Sequence, residues 1–219
     1  MDQTLTGFGA ARAGVRAAAP TVPIDFERLL GRAAWLRLPA AVRRRFGAHA
    51  AGISTIYEGR MLVEASPVGR LLAQVCRLIG TPLAPWTGAD VPTSVDVHMD
   101  ARGGLVWART YRFDRHAPIL VSSTKLMSAD GDLLEVVRGG LGMALDVTEE
   151  DGALHFRSRW YFASLGRLQL RIPGLLTPGR AHVVHQDTGG GTFRFTLDFQ
   201  HPWLGRTLFQ DGLFRDPGE

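Results

Sequence analysis

Cysteine, long apolar runs and a secretory signal are all scarce or missing in this sequence of 219 residues. Cys76 is the single cysteine, so no internal disulfide can form. The longest mostly apolar segment, residues 68–79, is interrupted by polar residues and is too short for a membrane-spanning helix. Residues 1–23 have no apolar core like that of a signal peptide. We therefore expect a cytoplasmic protein without a membrane span, in which a disordered leader (1–23) precedes a single domain (24–219).

Lysine is nearly absent as well. Lys125 is the one lysine among 25 basic residues, and the others are arginines. The net charge is +4, but the arginines are scattered, with one run at Arg43–Arg45. Nucleic-acid-binding domains concentrate basic residues on one face, so the scatter argues against a nucleic-acid partner. The run at Arg43–Arg45 is interpreted as a solvated helix face or, alternatively, as an anion or partner site.

Helix signals are confined to the first third of the chain. Two short helices are predicted, over Phe26–Trp35 and over residues 39–46. The clearest helix signal covers about residues 67–79, where Ser66 is a good cap and Gly80 a good stop. Its apolar side chains form a broad stripe, which predicts that this helix packs against the rest of the domain.

Strand signals dominate the remainder of the chain, because apolar and polar residues alternate between glycine-rich turns. An early strand is predicted at Ile53–Ala65. Further strands are predicted at Thr93–Met99, Leu105–Phe113, Ile119–Met127, Leu133–Val137, Met143–Thr148, Ala153–Phe162, Arg167–Ile172, Ala181–Asp187, Thr192–Phe199 and Thr207–Phe214.

So many strands exceed what an open twisted sheet carries comfortably, and closure into a barrel removes the exposed edges. The predicted fold is mainly β: an antiparallel meander closed or nearly closed into a lipocalin-like barrel of about 8 to 10 strands. The helix at about 67–79 packs on this barrel or plugs one end. A strongly bent, half-open sheet wrapped around that helix is the structural alternative.

A series of short motifs occurs in an order that resembles one bacterial family. They are Tyr57-Glu58-Gly59, Ser66-Pro67-Val68-Gly69-Arg70, Trp107-Ala108-Arg109-Thr110-Tyr111-Arg112-Phe113, Gly139-Gly140-Leu141-Gly142-Met143, His155-Phe156-Arg157-Ser158, Leu176-Thr177-Pro178-Gly179-Arg180, His182-Val183-Val184-His185 and Phe209-Gln210-Asp211-Gly212. The chain resembles this family, catalogued as domain of unknown function 4166, from about Leu38 to Asp216. The resemblance implies no activity, substrate or catalytic residue, so candidate residues rest on chemistry alone.

The strand Leu105–Phe113 places an arginine among aromatic side chains. Because residues two apart share a face of a strand, Trp107, Arg109 and Tyr111 form one row. If this row faces a barrel lumen, Arg109 can bind a carboxylate or phosphate group of a ligand. The alternatives are a stack on a ring or a structural pair with a carboxylate, for which the candidates are Glu58, Glu135 and Asp198.

A second polar row is predicted on the strand Ala153–Phe162, opposite an apolar row. Its members are His155, Arg157, Arg159 and Tyr161. This row is either solvated or, if it faces the lumen, part of a ligand site with Arg157, Arg159 and Tyr161 as contacts.

Lys125, on the strand Ile119–Met127, is a further ligand-binding candidate, because a buried lysine can have a depressed pKa and act as a base or nucleophile. A single lysine on a strand is more often a surface residue.

Three residues are candidates for catalysis. His185 shares a strand face with Asp187, which can orient it as an acid or base. His182 points to the opposite face, so the two histidines make a poor metal pair, and no metal site is predicted. Asp211 lies among aromatic residues, where it is either a structural partner of backbone or arginine groups or a general base with a raised pKa.

Three functions remain open on these observations. The leading hypothesis is that the barrel holds a lipophilic, possibly anionic small molecule. The second is a cofactor-independent cyclase, isomerase or hydrolase that uses the same cavity. The third is a partner-binding module that uses Arg43–Arg45 or an exposed apolar patch. No cofactor is expected, and the protein is expected to be a monomer or a homodimer.

Overall fold

The computed structural model describes residues 23–47, 52–77, 83–165 and 168–218, and it consists mainly of antiparallel strands. The predicted leader, apart from Pro23, and residues 78–80 of the predicted helix and its stop lie outside the described residues. The helices are α1 (Phe26–Leu30), α2 (Arg32–Arg37), α3 (Ala40–Phe46) and α4 (Pro67–Cys76), with a 3-10 turn at Gly174–Leu176.

The strands follow the predicted segments closely, although several are longer. They are β1 (Ser54–Ala65), β2 (Gly88–Met99), β3 (Leu105–Tyr111), β4 (Ile119–Met127), β5 (Leu133–Val137), β6 (Leu141–Glu150), β7 (Ala153–Leu165), β8 (Leu168–Ile172), β9 (Arg180–Gly189), β10 (Thr192–His201) and β11 (Gly205–Arg215).

Ten of these strands close into a barrel. Strands β1 to β7 pair in chain order, β7 then pairs with β9, and β9, β10 and β11 lead back to β1. Strand β8 lies outside the ring and extends the second half of β7 as a hairpin. The prediction of a mainly β fold with a closed antiparallel barrel is therefore confirmed.

The N-terminal helices close one end of the barrel, which we call the plugged end. The predicted single helix at Phe26–Trp35 is two helices, because Gly31 adopts φ +79° between them. Phe46 of α3 enters the barrel and packs against Trp107 and Phe156, with ring centroids 5.6 and 5.7 Å away. Helix α3 is thus part of the core.

Arg45 fastens α3 to the barrel wall. Its guanidinium donates to Asp216 (2.7 and 2.6 Å) and to Asp187 (3.0 Å), and the residue is only 4% exposed. The interpretation of Arg43–Arg45 as a solvated face is therefore wrong for Arg45, which is buried. The two carboxylates compensate the cost of burying its charge.

Helix α4 lies at the opposite end, which we call the mouth end. Ser66 caps α4 by accepting a hydrogen bond from the Gly69 amide (3.1 Å), and the Ser66 amide donates to the Thr207 carbonyl of β11 (3.1 Å). A Cβ at Gly69 would lie only 1.8 Å from the Thr207 oxygen, so the helix backbone approaches β11 at a distance only glycine permits. None of the described helices is long and apolar enough to cross a membrane.

A bulge in β7 changes which residues face the lumen. Ala144 pairs with Trp160 but Leu145 pairs with Ser158, so Arg159 is the extra residue. Phe156 packs in the main core, whereas Phe162 belongs to a separate cluster with Leu134 and Ala144. The predicted row of His155, Arg157, Arg159 and Tyr161 is therefore split, and only Tyr161 lines the cavity described below.

Candidate ligand-binding site

A cavity of about 180 Å³ occupies the barrel interior near the mouth end. Its walls are mostly apolar and come from α4, Leu83, the segment around the 3-10 turn and eight strands, β3 to β10. Apolar lining residues include Leu72, Cys76, Leu83, Val137, Leu141, Met143, Ile172, Leu176, Val183, Leu197 and Phe199. Such a surface favours an apolar occupant.

The base of this cavity is charged. Arg109, Ser123 and Glu135 line it, and Lys125 lies behind Glu135. The Ser123 hydroxyl donates to Glu135 Oε1 at 2.6 Å, and Lys125 Nζ lies 3.2 Å from Glu135 Oε2. Lys125 and Glu135 are only 5% and 7% exposed. Two basic side chains therefore surround one carboxylate in an apolar interior.

The neighbouring charges set the ionisation of this cluster. Burial alone would raise the pKa of Glu135, but Lys125, Arg109 and the Ser123 hydroxyl outweigh burial and lower it. Burial lowers the pKa of Lys125; Glu135 opposes this shift, and Arg109 adds to it. Glu135 is therefore a stable anion and a weak base.

Arg109 is the member of the cluster without a fixed polar partner. Among the described residues, none accepts a hydrogen bond from its guanidinium or lies within ion-pairing distance. Its guanidinium carbon instead lies 5.4 Å from the Phe195 ring centroid, so the ring-stack alternative is observed. Of the predicted carboxylate partners, Asp198 pairs with Arg206 on the outer wall. The donors of Arg109 are thus free to bind a group in the cavity.

Tyr161 adds a neutral polar group to the wall. Burial raises its pKa to about 12, and its hydroxyl donates to the Gly179 carbonyl at 2.7 Å. The side chain is therefore a hydrogen-bonded phenol at neutral pH. It fixes the segment before β9 against β7 while its ring contributes to the cavity.

The other aromatic candidates, Trp107 and Tyr111, flank Arg109 on β3. Tyr111 is buried and donates to Gln210 Oε1 at 2.9 Å. Trp107 is buried as well, and its indole N–H has no hydrogen-bond partner among the described residues. Trp107 borders a small void that it shares with Arg109 and His185. Both aromatic residues therefore support Arg109 from the same strand.

His185 is interior but is not arranged as predicted. It is 4% exposed, with ring contacts to Phe46 (4.9 Å) and Phe195 (5.2 Å). Burial and the charges of Lys125, Arg109 and Arg45 place its pKa well below the usual value. Asp187, the predicted orienting carboxylate, binds Arg45 instead. His185 is therefore a neutral ring whose Nδ1 has no partner among the described residues.

The remaining candidates lie on the outer wall, apart from the cavity. Asp211 accepts two hydrogen bonds from Arg194, at 2.7 and 2.5 Å. Arg157 binds Glu150, and Arg159 binds Asp132. His182 Nε2 lies 2.9 Å from His155 Nδ1. The structure therefore brings Arg109, Lys125 and Tyr161 to one site and leaves these four residues outside it.

Glu135 is the central residue that sequence reasoning named only as a possible partner. Its signal was a lone carboxylate in the otherwise apolar segment Leu133–Val137. The strand register sets Glu135 directly opposite Lys125, and such cross-strand pairs of opposite charge are favourable. The pair could have been found from the sequence, because the single lysine and the lone carboxylate lie on consecutive strands of a predicted antiparallel hairpin.

The family comparison covers most of the chain. Neither the curated proteins nor the solved structures contain a significant match. A protein family described as a domain of unknown function (DUF4166) matches residues 38–214, a span that includes α3, α4 and all the strands of the barrel. The chain therefore belongs to the DUF4166 family.

Proposed function

We propose that the protein binds a lipophilic small molecule with an anionic group, whose apolar part fills the cavity while the anion contacts Arg109. The observation that carries this proposal is the Arg109 guanidinium, which makes no hydrogen bond or ion pair with a described residue and lines the charged base of a cavity whose other walls are mostly apolar. Arg109 is partly exposed to the cavity, and a carboxylate or phosphate of a ligand would supply the acceptors that its donors lack.

The dimensions of the cavity bound the ligand. An apolar cavity of about 150 Å³ holds benzene, and this cavity measures about 180 Å³. It therefore accepts a ring or a short acyl segment, with any longer part of the ligand extending between α4 and the 3-10 turn. Leu72 and Leu176, which line the cavity from these two elements, would contact that part.

The decisive experiment compares charged and neutral probes. We expect 1-anilinonaphthalene-8-sulfonate to bind the wild type, and Arg109→Met to weaken this binding by at least about tenfold, because a charge-assisted hydrogen bond contributes about 1.5–3 kcal/mol. N-phenyl-1-naphthylamine, which lacks the sulfonate, should bind both proteins equally. Arg194→Met, which removes an arginine from the outer wall, is the matched control.

Two results would contradict the proposal. In the first, Arg109→Met and the wild type bind the anionic probe with the same affinity. In the second, neither probe binds the wild type. Retained affinity for the neutral probe shows that the variant is folded, so a selective loss of the anionic probe reports on Arg109. Native mass spectrometry of gently purified protein then identifies a co-purifying ligand.

A cofactor-independent enzyme is the second candidate, favoured by the titratable pair beside the cavity. Lys125 and Glu135 lie within 3.2 Å of each other next to the space in which a ligand would bind. A cyclase, isomerase or hydrolase would require Glu135→Gln to abolish turnover of the identified ligand while leaving its binding intact. If turnover is undetectable in the wild type with that ligand, binding alone is the function.

A further inference from the structure

The mouth end of the barrel has an unusual number of exposed apolar side chains for a surface. We define the apolar rim as Leu71, Val75, Leu175, Leu176, Trp203 and Leu204. Three of them, Leu71 (64%), Leu176 (73%) and Trp203 (75%), are mostly accessible. A cluster of this kind marks an interaction surface more often than chance exposure.

Hydrogen bonds tie the three rim segments together. Thr207 of β11 accepts from the Ser66 amide at the start of α4 and donates to the Pro178 carbonyl after the 3-10 turn. Gly179 packs against the backbone of Gln200 and His201, where the β10–β11 turn begins. The rim residues therefore lie on connections at one end of the barrel and not on separate faces.

The rim is continuous with the cavity. Leu176 is both a rim residue and a cavity-lining residue. On α4, exposed Val75 follows the cavity-lining Leu72 by three residues and exposed Leu71 by four, so it is a neighbour of both on the helix surface. A molecule leaving the cavity between α4 and the 3-10 turn would meet apolar side chains until it left the protein.

Positive charge surrounds the rim. Arg70, Arg171 and Arg180 are exposed at the mouth end, and no described carboxylate lies within ion-pairing distance of them. Acidic residues at the same end include Glu64 and Asp114, whereas the turns at the plugged end carry Asp100, Asp130, Asp132, Glu149, Glu150 and Asp151 together with Arg37 and Arg102. Three exposed arginines without a described carboxylate within ion-pairing distance therefore lie around the opening of the cavity.

We propose that the mouth end docks peripherally on an anionic lipid bilayer, and that the ligand passes between the bilayer and the cavity through this contact. Exposed Trp and Leu side chains lie in the interfacial layer, and arginines contact anionic headgroups. This inference rests on the proposed ligand site and adds where the ligand is exchanged. A second copy fits the rim less well, because apposed rims bring Arg70, Arg171 and Arg180 against their own copies.

The test is sedimentation with vesicles. We expect the wild type to co-sediment with vesicles of phosphatidylcholine containing phosphatidylglycerol, and less with phosphatidylcholine alone. Leu71→Asp/Trp203→Asp should weaken binding to the anionic vesicles at least about tenfold, because both apolar contacts are lost and negative charge is added. Leu36→Asp, an equivalent change of a 54% exposed leucine in α2 at the plugged end, should leave binding unchanged.

Trp203 also provides a direct optical readout. Vesicles with brominated acyl chains should quench part of the tryptophan fluorescence of the wild type but not of Trp203→Phe. Unchanged vesicle binding by the double aspartate variant, or the absence of wild-type binding, would overturn the proposal. Dimerisation of the wild type in light scattering, lost in the variant, would overturn it in favour of self-association.

Failure of the docking proposal is distinguishable from failure of the ligand site. The Arg109-dependent part of 1-anilinonaphthalene-8-sulfonate binding, measured without vesicles, reports on the cavity, because Arg109→Met leaves the apolar rim unchanged. If that probe binds but vesicles do not, the ligand site stands and the docking surface is refuted. If vesicles bind but the probe does not, the rim is a membrane contact without the proposed ligand exchange, which also overturns the inference.

Discussion

Lys125 and Glu135 face each other across β4 and β5, with Nζ 3.2 Å from Oε2 and both side chains buried. Removing one partner leaves an uncompensated charge in the core. We therefore expect Lys125→Met to lower the free energy of unfolding by about 3–5 kcal/mol. Urea denaturation at neutral pH measures this change.

The double variant Lys125→Met/Glu135→Met separates the charge from the packing. It should recover most of the lost stability, because two apolar side chains can replace a buried pair at little cost. The matched control is Arg157→Met, which breaks the exposed pair with Glu150 and should cost less than about 1 kcal/mol. Equal losses at the buried and exposed pairs would refute the buried-pair argument.

The burial of His185 should make the free energy of unfolding depend on pH. The pKa of this histidine in the folded protein lies well below the usual value, chiefly because of burial. Below a pH of about 6.5 the unfolded chain takes up a proton at this histidine that the folded protein does not. Stability therefore falls as the pH decreases below about 6.5, with a slope of up to about 1.4 kcal/mol per pH unit for this group.

Urea denaturation between pH 5 and pH 7 measures the slope, and His185→Phe should reduce it. His155 and His182 also have lowered pKa values because of burial, so they contribute to the same window. The variant His155→Gln/His182→Gln determines their share. A slope that His185→Phe leaves unaltered would mean that His185 is not the buried neutral group.

A side chain at position 69 should disrupt the close contact between α4 and β11 at the mouth end. A Cβ at this position would lie 1.8 Å from the Thr207 carbonyl oxygen, a backbone atom that cannot move aside. We expect Gly69→Ala to displace α4 and to lower stability by about 2 kcal/mol. Gly174→Ala is the control, since a Cβ there meets nothing within 4 Å. Thermal unfolding of both variants checks the difference.

Alkylation of Cys76 should report whether the cavity is occupied. Cys76 is the one thiol of the chain and lines the cavity, and burial raises its pKa. Alkylation by iodoacetamide should therefore be slow at neutral pH and accelerate as the pH rises toward that raised pKa. A bound ligand should slow it further, which mass spectrometry of the intact protein can follow. Alkylation at the same rate with saturating ligand would place the ligand elsewhere.

Much of the barrel could be predicted from the sequence, because the alternation of apolar and polar residues and the glycine-rich turns between strands are local signals. The segments Leu133–Val137 and Ile119–Met127 were predicted with the bounds that the structure shows. The helix break at Gly31 was not, since a single glycine can also lie inside an intact helix, as Gly69 does in α4. The bulge at Arg159 was not either, because no residue type in that strand marks it. The burial of Arg45 depends on Asp187 and Asp216, which are far away in sequence and meet it only after folding.

The candidate site could be predicted only in part from the sequence. Periodicity shows which residues share a face but not which face points inward. Arg109 and Lys125 could be named as candidates because each places a charged side chain in a mostly apolar row, which calls for a partner or a ligand if the row faces inward. Asp211 pairs with Arg194, as one of its two alternatives predicts. It lies outside the cavity because the adjacent Gln210 is the residue of β11 that points inward, and the bulge removed Arg157 and Arg159 from the row that Tyr161 joins.

The pairing of β1 with β11 has a consequence for how the chain folds. Glu58 lies opposite Arg215, so the contact that closes the barrel joins its first strand to its last. Contacts so distant in sequence form late, because closing a long loop costs conformational entropy before any contact compensates it. During synthesis, β1 and β10 therefore present unpaired edges until β11 emerges and pairs with both of them. Strand β11 supplies no residue to the lining of the cavity, yet it is the strand that closes the barrel around it.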